Sequence, residues 1–283
     1  MKNDIAQAVA EVRMMTAGQL KDICAMSVQA IPTNLTFEQA EYVLSRKTEY
    51  ASHVQEFFPS VADLTDPVKV WERFYQKYFG LTLDLSGVKI PERTPAQVKE
   101  FTRLIIVAMG LLQNQVYDAC HRVFKGQCWR YVNDLDASIT ENERDSKTGA
   151  YAIWVRDTVE ADEVHKNKSA DMVKVEGLKT ETSLERNLHE LKYFAETGKH
   201  LDIVNATLCS GSRISGGDVP GADWCDDEFR VYYWYGLDDR NPNLRPREEV
   251  SRHRSLYGSF GVKEASQLFV SLEISIICLD SRS

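Results

Sequence analysis

Apolar positions recur with a helical period through the first 120 residues and with a strand period through much of the remainder. Three Thr-x-x-Gln boxes, Thr16–Gln19, Thr36–Gln39 and Thr94–Gln97, mark helix starts. In each, the threonine oxygen can accept from an orphan backbone N–H and the glutamine can reach back to the threonine N–H. Pro95, directly after Thr94, suits the first helical position. Behind Thr36, the residues Phe37, Ala40, Leu44, Ala51, Val54 and Phe58 fall on one helical face, closed by Pro59. Behind Asp66-Pro67, an aromatic stripe of Trp71, Phe74, Tyr75, Tyr78 and Phe79 runs to Gly80. Such a stripe belongs in a core, or forms a partner surface if left uncovered. Val98, Phe101, Leu104, Ile105, Ala108, Leu111, Leu112 and Val116 predict a long central helix after Thr94.

Past Cys120 the pattern changes. Cys128–Asn133 and Tyr151–Arg156 are aromatic and β-branched and predict two strands joined by a long polar loop. Ser183–Thr197 predicts a helix, with a Thr182/Glu185 capping box, Leu184, Leu188, Leu191 and Ala195 on one face, and Gly198 as its stop. Ile203–Cys209 and Phe229–Tyr235 predict strands. Leu268, Val270, Leu272, Ile274, Ile276 and Cys278 alternate as in a half-buried strand. The fold class expected is α+β: a helical domain over 1–120 and, over 121–283, an antiparallel or mixed sheet backed by the Ser183–Thr197 helix.

Composition narrows the function classes. The 283 residues carry 34 Lys+Arg against 42 Asp+Glu, a net charge of −8, with 43% hydrophobic and 27% charged residues. That is the make-up of a folded globular protein and excludes collagen-like and low-complexity chains. The acid excess speaks against a general nucleic-acid coat, which works by neutralising phosphates. Any nucleic-acid contact would fall to the basic run of Arg240, Arg245, Arg247, Arg252 and Arg254, with Tyr232, Trp234 and Tyr235 near enough to stack on bases. The start, MKNDIAQAVAEVR, has no apolar signal core, and the longest apolar run, Leu104–Leu112, is too short to span a bilayer. Six scattered cysteines without a CxxC pair fit reduced thiols. A cytoplasmic protein with no membrane partner is expected.

The segments CWRYVNDLD (128–136), YAIWVRDTVEADE (151–163), LKYFAETGKHLD (191–202) and TLCSGSRISGGDVP (207–220) resemble a family of bacterial hypothetical proteins. The resemblance covers about a third of the chain, implies a bacterial origin, and carries over no catalytic residue or cofactor.

Four sets of residues are candidates for chemistry. The Gly/Ser-rich stretch Ser210–Gly221 follows a predicted strand. Its amides could form a nest for an anion, with Ser210, Gly211 and Ser212 as the cradle and Arg213 as the clamp. It lacks a Walker lysine and the GxGxxG spacing. This makes a non-catalytic ligand-binding or protein-interaction protein, without cofactor, the leading expectation. The alternative is a metal-dependent phosphodiesterase or nuclease, in which Asp134, Asp136, Asp218 and Asp223 hold Mg²⁺ or Mn²⁺ and Arg156 steadies the phosphate. Cys209 with His189 or His200 offers a nucleophile–base pair, and the same three with Cys225 a zinc set. Both compete with a plain buried cysteine.

Overall fold

The computed structural model describes residues 15–56, 58 and 64–252. The chain divides into two compact units, Met1–Val61 and Ala62–Ser283. The first contains α1 (Ala17–Gln29), α2 (Phe37–Ser45) and α3 (Lys47–Glu56). Thr16 and Thr36 cap as expected: in both boxes the glutamine N–H donates to the threonine Oγ1 and the threonine N–H donates to the glutamine Oε1. The single helix expected after Thr36 is two, because Arg46 leaves helical geometry at φ −116° and ψ 38°.

The second unit is α+β. Its helices are α4 (Pro67–Phe79), α5 (Pro95–Glu100), α6 (Gln113–Val123), α7 (Leu135–Ser138), α8 (Ala170–Val175) and α9 (Ser183–Thr197). Its strands are β1 (Arg103–Val107), β2 (Cys128–Arg130), β3 (Ile139–Asn142), β4 (Tyr151–Val155), β5 (Ala206–Leu208), β6 (Ser212–Ile214), β7 (Val219–Cys225), β8 (Glu228–Tyr235), β9 (Leu244–Arg245) and β10 (Glu249–Val250). An antiparallel sheet runs β1-β4-β10 and a mixed one β2-β8-β7-β5-β9. In the mixed sheet β2 lies parallel to β8 and β9 parallel to β5; β3 and β6 form a separate antiparallel pair. Helix α9 packs on α6, on β1 of one sheet and on β7 of the other. Its capping box and its Gly198 stop, at φ +68°, form as the sequence predicts. Among the described residues, no helix is long and apolar enough to cross a membrane. The strand expected over Leu268–Cys278 lies outside the described residues.

The long central helix expected after Thr94 is not one element. It is α5, then strand β1, then a turn through Gly110, then α6. A continuous apolar run carries no period, so β-branching arbitrates. Ile105, Ile106 and Val107 are completely buried in β1. Because β1 pairs with β4, residue for residue from Arg103↔Val155 to Val107↔Tyr151, a boundary at 120/121 would run through one sheet. The aromatic stripe explains what protects the open side of β1. Tyr75 Oη donates to Ile106 O at 2.8 Å and accepts from Ala108 N at 2.9 Å, while Trp71 Nε1 donates to Leu104 O at 3.3 Å. Helix α4 thus occupies the edge groups that would otherwise be exposed for pairing. Tyr75→Phe is expected to cost about 1–3 kcal/mol in urea unfolding, since two backbone groups lose their partner in a dry site.

Candidate functional site

The Ser210–Gly221 stretch is a built piece of structure, with β6 and the start of β7 joined by a tight turn at Gly216-Gly217. Ser210 and Ser212 are buried. The Ser210 hydroxyl meets Thr180 Oγ1 at 2.8 Å; that of Ser212 donates to Asn142 Oδ1 at 2.6 Å and accepts from Ser183 N at 2.9 Å. Arg213 turns back on its own loop, donating to Ser210 O and Ser212 O, both at 2.7 Å. A side chain on Gly211 would place Cβ 2.8 Å from Thr180 O and 3.1 Å from Thr182 N, so the glycine permits the loop to lie against the start of α9. Gly211→Ala is therefore expected to cost about 1–3 kcal/mol by overpacking, read as a lower melting temperature. Arg213, Ser210 and Gly211 do border a cavity of about 280 Å³, shared with Lys174, Glu141 and Glu143.

The carboxylates of the metal reading serve separate places. Asp134 and Asp136 meet at the start of α6: Asp136 accepts from Gln113 N and Asn114 N, and Asp134 from Asn114 Nδ2. Asp223, on β7, accepts from Tyr232 Oη at 2.5 Å, and burial pushes it up to about 6. Arg156, beyond β4, binds Asp162 at 2.6 Å and Glu248 at 2.9 Å. Among the described residues, the group of three side chains within ligand distance of one another is Asp162, His165 and Glu248, which none of the expected acids joins. There the Arg156 guanidinium already bridges the two carboxylates.

Cys209 is buried, and burial pushes its thiol far above the usual range. His189 pairs with Glu181, and His200 pairs with Glu190 and stacks on Trp224, so neither imidazole serves as a base for Cys209. The described part of the basic run is split. Arg247 and Arg245 are buried in ion pairs with Asp202 and Glu163, Arg240 donates to Asn167 O, and Arg252 is exposed. Tyr232 is buried rather than presented for stacking. Arg254 lies outside the described residues.

Sequence reasoning missed how deeply α9 is set. Every residue from Ser183 to Tyr193 is buried, its polar face included, because sheets lie on both sides. Arg186 donates Nε to Asp202 Oδ2 and Nη1 to Glu190 Oε2, both at 2.9 Å. Arg247 takes the other oxygen, Asp202 Oδ1, at 2.6 Å, and reaches Thr207 Oγ1 and the carbonyls of Thr158 and Val159. Burial raises Asp202, but the Arg247 and Arg186 guanidiniums outweigh it and hold its carboxyl below the usual range. Glu181 has no such direct partner: burial pushes it up to about 8, against weaker pulls from Arg247 and Arg186. His189, 2.9 Å from Glu181, is kept neutral by burial and by the same cations.

One end of this framework opens to solvent. A cavity of about 430 Å³ lies beside the start of β4, bordered by Gly87, Lys89, Glu143–Asp145, Thr148–Ala152, Lys179, Ser251 and Arg252. Each cation is placed by a distinct device. The 81–94 connection is fastened across β4 by Trp154 Nε1 donating to Pro91 O and by Arg93 stacked 3.5 Å over Trp154, which brings in Lys89. Lys179 is fixed by Glu249 N donating to its carbonyl at 2.9 Å. Arg252 leaves β10 alongside β4. Arg144 has spent its donors, on Glu185 Oε1 and Oε2, Glu249 Oε1 and Thr180 O. It forms a fixed floor rather than a free hand. Beneath it Glu249 keeps one buried oxygen without a partner, and burial pushes its carboxyl up to about 7 despite Arg144. Lys89, Lys179 and Arg252 pair with no carboxylate among the described residues. With Arg144 paired to Glu185 and Glu249, the remaining charges of the lining are Lys89, Lys179 and Arg252 against Glu143 and Asp145, a small positive balance in a chain of net −8. Compared with known family models, curated proteins and solved structures, the chain matches none.

Proposed function

We propose that this chain is a ligand-binding protein whose cavity beside β4 takes a small anion, a compound bearing a phosphate or carboxylate group. The observation that carries this reading is the convergence of Lys89, Lys179 and Arg252, none paired with an acid among the described residues, on one cavity of about 430 Å³. That volume falls in the usual range for small-molecule sites. A half-enclosed wall with an excess of one charge sign concentrates the opposite ion. Arg144, neutralised by Glu185 and Glu249, gives the floor rigidity, so the approaching anion meets cations already in position. Ala150, Tyr151 and Ala152 supply an apolar side against which the body of the ligand rests.

The test is thermal unfolding against increasing inorganic phosphate and, separately, citrate. A ligand that binds only the native state raises stability in proportion to the logarithm of its concentration once saturating. Lys179→Ala and Arg252→Ala are each expected to weaken binding about tenfold, a charge-assisted contact apiece. Phosphate and citrate responses that are equal in wild type and in the Lys179→Ala/Arg252→Ala double variant would overturn the assignment.

A further inference from the structure

Strand β4 has one neighbour that is too short for it. β1 pairs with β4 from Arg103↔Val155 to Val107↔Tyr151, whereas β10 pairs only at Glu249↔Val155 and Val250↔Trp154. In an antiparallel ladder, successive residues turn their N–H and C=O to opposite sides. Two observations fix which way they turn here. The carbonyls of Leu104 and Ile106 face α4, accepting from Trp71 and Tyr75, so Ile105 and Val107 are the residues that bond across to β4. Their partners are Ile153 and Tyr151. On the other side, Glu249 N donates to Lys179 O, so Val250 is the residue that turns its groups to β4, where it meets Trp154. Both observations put the N–H and C=O of Ala152, two residues before Trp154, on the β10 side, past the last residue of β10.

Ala152 is 4% exposed, and among the described residues neither its N–H nor its C=O has a partner on that side. Buried main-chain groups are nearly always paired. Ala152 borders the cavity of about 430 Å³ together with Lys89, Lys179 and Arg252. Parts of that lining are bare main chain: a Cβ on Gly87 or Gly149 would meet no atom within 4 Å. An extended chain rises about 3.3 Å per residue, so the wall from Gly149 to Ala152 is roughly 10 Å long, the span of about three peptide residues.

A peptide unit carries the acceptor and donor that would complete the ladder at Ala152. A cavity this short holds a chain end rather than a segment passing through. Of the two ends, the excess of Lys89, Lys179 and Arg252 over Glu143 and Asp145 selects the carboxylate. We propose, resting on the anion-binding reading above, that the ligand is the carboxyl-terminal end of a peptide. It lies antiparallel to β4 as an added strand, one residue exchanging two backbone hydrogen bonds with Ala152 while its carboxylates meet the three cations.

The test is amide chemical shift and hydrogen exchange on the isotope-labelled full chain. The probes are acetyl-Ala-Ala-Asp, its C-terminal amide, and succinate, which keeps both carboxylates of the terminal aspartate without a peptide unit. The tripeptide is expected to bind about tenfold more tightly than succinate, the worth of two net hydrogen bonds. The amide should bind about tenfold more weakly than the acid. At saturation with the tripeptide the Ala152 N–H should exchange about tenfold more slowly or slower still, and succinate should leave it unchanged. Tripeptide and succinate of equal affinity, with the Ala152 amide unmoved, would overturn the proposal; the anion reading would survive if the Lys179→Ala/Arg252→Ala double variant weakened both. A tripeptide bound no better than its amide would contradict the choice of the chain end. An Ala152 amide as protected as that of Ile153 before any probe is added would also sink the proposal, because the edge would already be paired. Binding of none of the three probes, nor of inorganic phosphate, would remove the anion reading itself.

Discussion

Replacing Asp202 with asparagine is expected to remove about 3–5 kcal/mol of stability, the loss typical of breaking a buried ion pair from one side. Asp202 is wholly buried and its two oxygens are divided between Arg186 and Arg247, both also wholly buried. It further accepts from Thr207 Oγ1. Its backbone sits at φ +53°, a conformation asparagine shares, so the substitution alters charge with little effect on the main chain. Two guanidiniums would then face an amide that can accept at only one end. Glu190 would compensate Arg186 in part, while Arg247 would keep only carbonyl and hydroxyl acceptors. Urea unfolding midpoints of wild type and variant measure the effect. A change below about 1 kcal/mol would mean that this network is wet, contrary to its burial.

Stability is expected to fall as pH rises from about 6.5 to 8. Glu181 and Glu249 are pushed up to about 8 and about 7 in the native state, and ionise near 4.5 when unfolded. Through that window the native chain holds more protons than the unfolded one, so raising pH favours unfolding. The contribution is complete below pH 4.5 and gone above the folded values. His189 acts oppositely but lower down: its native pKa lies well below 6.5, so it weakens the fold only as pH drops beneath that value. Asp202, Glu185 and Glu248, all held low, add stability that disappears in acid below about pH 4.5. The optimum therefore lies at about pH 4.5–5, where the loss from the depressed carboxylates and His189 meets the gain from the two raised ones. Glu181→Gln, which fixes the uncharged form, should flatten the decline between pH 6.5 and 8 in melting-temperature scans. A decline of unchanged slope in that variant would locate the titrating group elsewhere.

What could be read in advance was local chemistry. The Thr16, Thr36, Thr94 and Thr182 caps need only a residue and its third neighbour, and all four form. The aromatic stripe of α4 could be placed in the core from its period, though its role in closing the β1 edge could not, since Tyr75 meets Ile106 only after folding. Residues 101–112 defeated the helical reading because an unbroken apolar run is equally compatible with a strand buried on both faces. Arg186, His189 and Glu190 have helical spacing opposite the leucines of α9, the pattern of a solvated face, and that pattern carries no sign of the two sheets that cover it. The Gly/Ser-rich stretch drew attention as a cradle, yet its serines hold α9 and β3. The cavity could not be seen because its lining comes from 87–89, 143–152, 179 and 251–252, and single lysines in a sequence resemble any exposed charge.

The most direct test of anion binding beside β4 is a titration of isotope-labelled protein with inorganic phosphate, followed by amide chemical shifts. The amides of Gly87, Gly149, Lys179 and Ser251 are expected to move together along one saturating curve, with those of Gly216 and Gly217 unmoved. Shifts confined to the Ser210–Gly217 turn, or no saturable shift at the four cavity amides, would contradict it.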